Sequence, residues 1–441
     1  MRDIVLALFI FGTVPFILAR PYIGLLVWSW LGYMNPHRLT YGFAYSFPWV
    51  MIIAVTTLIS LAFSDESKRI PRSSFTVLLF LFLIWTGVTT MFAVEQVSAL
   101  QRLEEFAKVL VMVAVTLMLA NTRERIRWLV WVVVVSLGIY GVKDGIFTLA
   151  HGGSFHALGP PDSFISDNNA FAMALCMALP LIRYLQLHSA RRMIRVGLGV
   201  AMVLTGITVL GTYSRGGLIG LVIVSVALLF KSRRRVALGV ALVIIGATAY
   251  HFMPPQWTER MGTLQEAKQT DSGQTRIQSW EFATNVALHR PLVGGGFNVY
   301  QSNAMWQAYG PAGANPRAIH SIYFRVLGEQ GFPGLFLFAA LLVTSYRSCR
   351  LVRKRTRDSS EQRWAFDLAS MLQVSLVAFM VSGAFLPMTY FDLTYQLMAL
   401  CALLEFRVRD AETQPSVTQP LRLHGAGTRS AVAPYQTRTG A

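Results

Sequence analysis

The sequence predicts an all-α, polytopic integral membrane protein of about twelve transmembrane helices, and three observations carry that expectation. Apolar residues make up 54% of the chain and charged residues 14%, and the apolar ones fall in runs of about 15 to 25 between short charged loops. The runs do not alternate. Leu129 to Val135 is wholly apolar and Leu218 to Phe230 is interrupted only by Gly220 and Ser225, which excludes the period-two pattern of a transmembrane barrel. Much of the positive charge behind the net +17 gathers in five loops: Lys68 to Arg72, Arg123 to Arg127, Arg191 to Arg195, Lys231 to Arg235 and Arg347 to Arg363. The intervening loops, such as His151 to Asn168 and Pro387 to Phe391, carry almost no positive charge. This is the positive-inside pattern, which places the five basic loops and both termini in the cytoplasm and argues against nucleic acid as a partner.

The spans follow in order. After a first crossing they are expected near 47 to 63, 75 to 93, 106 to 120, 128 to 150, 169 to 187, 194 to 213, 216 to 230, 236 to 252, 321 to 346, 366 to 387 and 391 to 406. Ile4 to Met34 is long enough for two short segments broken at Arg20 and Pro21, yet the downstream charges permit one net crossing, so it reads as a broken or re-entrant segment. Residues 1–406 thus form one membrane domain, containing a large water-facing loop at 253–320 that carries short helices. Residues 407–441, rich in Gln, Thr, Pro, Gly and Arg without periodicity, read as a disordered cytoplasmic tail.

The long loop runs into HSIYFRVLGEQGFPGL, where His320 opens the next apolar helix and Glu329 lies inside it. Ionisable groups at such depth are costly and persist where they face protein or a water-filled cavity, which marks this junction as the expected reaction centre. The plainer reading is an interfacial histidine and a Glu329 neutralised by Arg325 one turn earlier. Arg215, in GTYSRGG, sits at a tight turn between two spans on the same face. Arg276 opens a pattern in which Trp280 and Thr284 share its face at helical spacing, suggesting an amphipathic helix lying against the membrane surface. Arginines on this face break the charge bias. They either snorkel to lipid phosphates or clamp a phosphorylated substrate, for which a planar, permanently charged fork is suited. Arg260, Arg290 and Arg317 could share that clamp but read more simply as solvated loop residues, and Asn168 reads as a helix cap. No cysteine or histidine pair has zinc-ligand spacing and no carboxylate cluster suits a divalent cation, so neither a metal nor another cofactor is expected.

The ordered set SRGG, GQTRIQSWEFA, RPLVGGGFNVY and HSIYFRVLGEQGFPG resembles the O-antigen ligase superfamily of bacterial inner-membrane glycosyltransferases, over most of residues 165 to 405. RPYIGLLVWSWLGYMNPHRLTYGFAYSFPW and DNNAFAMAL further resemble the putative O-glycosylation ligases of exosortase-associated systems. The resemblance implies a GT-C-like fold and metal-independent, inverting transfer of a preassembled glycan from undecaprenyl diphosphate to an acceptor hydroxyl of lipid A-core or protein. The reaction would face the periplasm. Carried over by motif, His320 would be the essential histidine and Arg215 and Arg276 the arginines that hold the donor diphosphate. Glu329, Trp280, Tyr323, Asn169 and Gly331 would support them. A polymerase joining lipid-linked glycans would use similar residues. A transporter or flippase would show discontinuous helices in corresponding halves, and no internal repeat of that kind is present.

Overall fold

In a computed structural model that describes residues 1–232, 235–262 and 271–413, the chain is helical and, among those residues, has no strand. The break expected at Arg20 separates α1 (Arg2–Ala19) from α2 (Pro21–Met34). Arg20 is extended at φ −147°, ψ 99°, because the proline ring behind it crowds the α region. Both helices pack on α3 (Trp49–Phe63), where the Ser60 hydroxyl donates to Ile17 O at 2.6 Å. They are therefore two complete helices side by side. There follow α4 (Ser74–Met91), α5 (Gln96–Leu119), α6 (Arg123–Ala150), α7 (Asn168–His188), α8 (Arg192–Gly211), α9 (Arg215–Phe230) and α10 (Arg235–Phe252). The loop region holds α11 (Pro255–Gly262), α12 (Asp271–His289) and α13 (Asn303–Tyr309), and the chain closes through α14 (Ile322–Arg355), α15 (Arg363–Gly383) and α16 (Asp392–Thr413).

Seven of these helices are long and apolar enough to cross a membrane: α1, α4, α6, α7, α8, α14 and α15. The difference from about twelve has local causes. α3 and α9 are apolar but short, and the first turns of α5 carry Arg102, Glu104, Glu105 and Lys108. α16 opens on Asp392 and continues to Thr413, so the start of the expected tail is helical, tied back by the Arg355–Glu412 pair at 2.9 Å. The remainder of the tail, from 414, lies outside the described residues.

The centre of the bundle is α7, whose residues from Ala170 to Ile182 are buried without exception. Its alternating small side chains, Ala170, Ala172, Ala174, Cys176 and Ala178, let α6, α8, α9 and α15 approach closely, as small residues do between membrane helices. The approach is tight enough that a Cβ at Gly217 of α9 would lie 2.5 Å from the Ala172 Cβ.

The amphipathic helix expected on the membrane surface is α12, but its apolar face is covered by protein. Phe282, Ala283 and Val286 are fully buried in a second small core with Val299, Met305, Trp306 and Ile319, and the helix packs along α14. Periodicity reported an apolar face without reporting what covers it.

Cys176, Cys349 and Cys401 are all buried; Cys349 is enclosed because α14 continues to Arg355. The wild-type protein is thus a quiet background for labelling. With the basic loops cytoplasmic, a Gly313→Cys variant should react with an impermeant thiol reagent added from outside and a Ser359→Cys variant should not. The opposite labelling pattern would place the loop region in the cytoplasm and remove the basis for a periplasmic reaction.

Candidate functional site

Three helices begin at one place. α7 is capped by Asp167, whose carboxylate accepts from Asn169 N at 2.8 Å and Ala170 N at 3.2 Å. α9 is capped by Ser214, which accepts from Gly217 N at 3.0 Å, and α14 by Ser321, which accepts from Tyr323 N at 3.3 Å. The first two starts are joined, because the Ser214 hydroxyl donates to Asn169 Oδ1 at 2.8 Å and Asn168 Nδ2 donates to Thr212 O at 2.8 Å. Asn168 is therefore a cross-link between helices rather than the expected cap. Ser382 near the end of α15 donates to Gly216 O at 3.3 Å, and Gly383 lies against Ile322 at the start of α14. Helix N-termini leave N–H groups unpaired and carry partial positive charge, so their convergence favours an anion.

Side-chain charge adds to this. Arg215 is the first residue of α9, lifted there by Tyr213, which adopts the left-handed region at φ 55° and whose hydroxyl donates to Gly153 O at 2.6 Å. Burial, and then the charges of Arg215 and Arg260, hold the half-buried Arg276 guanidinium below its ordinary pKa. Guanidinium stays protonated under such pressure, so the three form a standing cationic cluster. Arg260 was expected to be a solvated loop residue. It reaches the cluster because α11 is pinned over the Arg215 turn: Trp257 Nε1 donates to Leu210 O at 3.0 Å, and Met253, Trp257 and Met261 pack on Tyr213. Arg290 and Arg317 are engaged elsewhere, with Phe92 O at 2.6 Å and Asn315 O at 2.9 Å.

His320 borders the cluster. Burial and the Arg276 charge lower its pKa, Arg325 adds to the effect and Asp167 opposes it, so the imidazole is neutral across a wider range than usual. Trp280 fixes its backbone by donating from Nε1 to His320 O at 3.1 Å while stacking on Phe324 at 5.2 Å. Tyr323 donates from its hydroxyl to Met380 O at 3.0 Å, anchoring α14 to α15.

Glu329 and Gly331 act behind the site. Gly331 interrupts α14 at φ 67°, and Pro333 lacks the N–H that would have bonded Glu329 O. The GGG loop replaces the lost partners: Gly295 N donates to Gly328 O at 2.8 Å, Gly296 N to Glu329 O at 2.9 Å, and Phe332 N turns to Pro291 O at 2.9 Å. A Cβ at Gly331 would stand 2.2 Å from Leu292 O, so only glycine fits. The buried Glu329 carboxylate accepts from Arg325 Nε at 3.0 Å, Asn298 N at 3.1 Å and Tyr390 OH at 2.8 Å. This is the Arg325–Glu329 pairing that the sequence offered as its plainer reading, with a loop fastened to it.

Residues 200–339 match the O-antigen ligase family. That match supports the O-antigen ligase superfamily for this part of the chain. Residues 1–190 match a family of unknown function, DUF5935, and no curated protein matches the chain. The ligase domain holds Arg215, Arg260, Arg276, His320, Glu329 and Gly331, whereas Asp167 and Asn169 come from the other matched region. The site is thus assembled across both. Sequence reasoning set Arg260 no higher than Arg290 and Arg317 and passed over the electrostatic role of Asp167. The one local signal for Arg260 was its position one turn after Trp257 in an otherwise polar helix.

Proposed function

We propose that the protein is an inner-membrane glycosyltransferase that moves a preassembled glycan from undecaprenyl diphosphate to an acceptor hydroxyl, on lipid A-core or protein, at the periplasmic face. The observation that supports this reading is the cationic cluster beside a neutral histidine at joined helix starts. Arg215 and Arg276 hold the diphosphate by charge-assisted bonds that strengthen as negative charge grows on the leaving group. His320 accepts the proton of the acceptor hydroxyl. The acceptor oxygen bonds to the anomeric carbon as the carbon–oxygen bond to phosphate breaks, and the electron pair leaves on undecaprenyl diphosphate. A single displacement inverts the anomeric configuration. The guanidinium groups supply the positive charge, so the reaction is metal-independent.

The test uses purified protein with a lipid-diphosphate glycan donor. Arg276→Ala should weaken donor binding by about tenfold to a hundredfold, the usual worth of charge-assisted hydrogen bonds. Arg215→Lys keeps the charge and loses the planar fork, and transfer should still fall at least about tenfold. If both variants bind donor as the wild type does, the arginines are not its clamp. Supplying lipid A-core, protein or a second lipid-linked glycan as acceptor separates ligation from polymerisation.

A further inference from the structure

Away from the arginine cluster, α3 and α5 both pack on α2 and flank a crevice of about 950 Å³, to which α2 contributes Trp28 and Gly32. One wall runs from Pro48 to Leu58 and the other from Arg102 to Met112. Ten residues of helix rise about 15 Å, half of a hydrocarbon core of about 30 Å, so the crevice is as deep as one leaflet. Met51, Val55, Leu58 and Val111 are exposed along it, where apolar side chains on a membrane helix meet lipid tails. Neither His320, Arg215 nor Arg276 lines it.

The lining also carries charge, most of it balanced within the protein. Arg102 donates to Glu105 Oε2 at 2.6 Å, Lys108 pairs with Glu104 at 2.6 Å, and Asp162 is taken up by Tyr45 and Arg38. Asp392 has no such partner. The residue is only 7% exposed, and its Oδ1 accepts from Leu393 N at 2.7 Å at the start of α16. Its Oδ2, which a Cβ at Gly32 would approach to 3.4 Å, accepts no hydrogen bond from the described residues. A carboxylate at that depth is costly without a cation or donors, and because Asp392 lines the crevice, an occupant can supply them. Nearby, the Arg102 guanidinium lies over the Phe164 and Tyr390 rings at 5.6 and 5.7 Å, and its Nε has no acceptor.

We infer that the crevice binds an aminophospholipid of the phosphatidylethanolamine class, with one acyl chain between α3 and α5, the ammonium on Asp392 Oδ2 and the phosphate beside Arg102. A primary ammonium brings both the positive charge and the N–H donors that Oδ2 lacks. An anionic headgroup such as phosphatidylglycerol would set a phosphate near an unpaired carboxylate and supply no cation. A polyprenyl chain is much longer than a crevice one leaflet deep. The inference is independent of the ligase reading.

Photolabelling of the full-length protein in nanodiscs tests it without requiring turnover. The probe is phosphatidylethanolamine with a diazirine in one acyl chain, and adducts are mapped by peptide mass spectrometry. Phosphatidylcholine, whose quaternary ammonium has no N–H to donate, is the background lipid. Adducts should concentrate on residues 48–58 and 102–112. Unlabelled phosphatidylethanolamine should displace them at least about tenfold better than phosphatidylglycerol, the usual worth of a charge-assisted hydrogen bond. Asp392→Asn keeps an acceptor for Leu393 N and removes the charge, so that preference should vanish. Met51 is exposed, so Met51→Trp fills the crevice without disturbing the core, and labelling there should be lost. Adducts spread evenly over the lipid-facing helices, equal displacement by the two lipids in the wild type, or a preference that survives Asp392→Asn would each overturn the assignment. Displacement by undecaprenyl phosphate alone would overturn it too, by giving the crevice to a polyprenyl chain.

Discussion

Replacing His320 with alanine should reduce glycan transfer by about 10²-fold or more while leaving donor binding intact, the loss expected when a positioned general base is removed. The His320 backbone is held by the Trp280 bond to its carbonyl, which the alanine variant keeps while losing the proton acceptor. The pH profile supplies a readout that a structural role would not move. Burial and Arg276 lower the imidazole pKa, so the basic, active form persists below the usual value of about 6.5 and the acid limb of kcat/KM lies on the acidic side of it. Removing Arg276 lifts part of that pressure. In Arg276→Ala the limb should move to higher pH. Bound diphosphate neutralises the same charge, so the limb in kcat should also lie above that in kcat/KM. Wild-type turnover by a folded His320→Ala variant would end the assignment, and a limb indifferent to Arg276 would separate the histidine from the cluster.

What was legible in the sequence is what local chemistry dictates. Pro21 announced the break after Arg20, apolar runs announced the helices, and the four-residue spacing of Arg325 and Glu329 announced their pair. The glycines before Phe297 marked a turn, two of them at positive φ, Gly294 and Gly296. What they bond to was not legible, because the carbonyls of Gly328 and Glu329 come free only where Gly331 and Pro333 interrupt α14 some thirty residues later. That Arg260, and not Arg290 or Arg317, joins the cluster was not legible for the same reason. Its place depends on Trp257 reaching Leu210 across the fold, and a short polar helix carries no periodic sign of that. The cap of α7 shows a finer limit: Asp167 and Asn168 are both good caps, and only the position of Thr212 decides that the asparagine goes to the neighbouring helix.

Glu329→Ala should destabilise the protein by about 3–5 kcal/mol, the cost of breaking a buried ion pair from one side. Glu329 is wholly buried, and its loss leaves Arg325 as an uncompensated charge beside Tyr300 and Tyr390 and deprives Asn298 N and Tyr390 OH of their acceptor. Thermal unfolding in detergent would read this as a lowered midpoint. The pair itself need not be a net source of stability, since desolvating two charges offsets their attraction. Arg325→Met combined with Glu329→Leu should therefore unfold at a higher temperature than Glu329→Ala alone. Activity should separate the two roles. If Glu329 only fastens the loop, Glu329→Gln keeps an acceptor oxygen for Asn298 N and retains transfer with an unchanged pH profile. A Glu329→Gln variant that folds as stably as the wild type yet loses turnover, with an altered pH limb, would instead move the carboxylate into the proton-transfer chemistry.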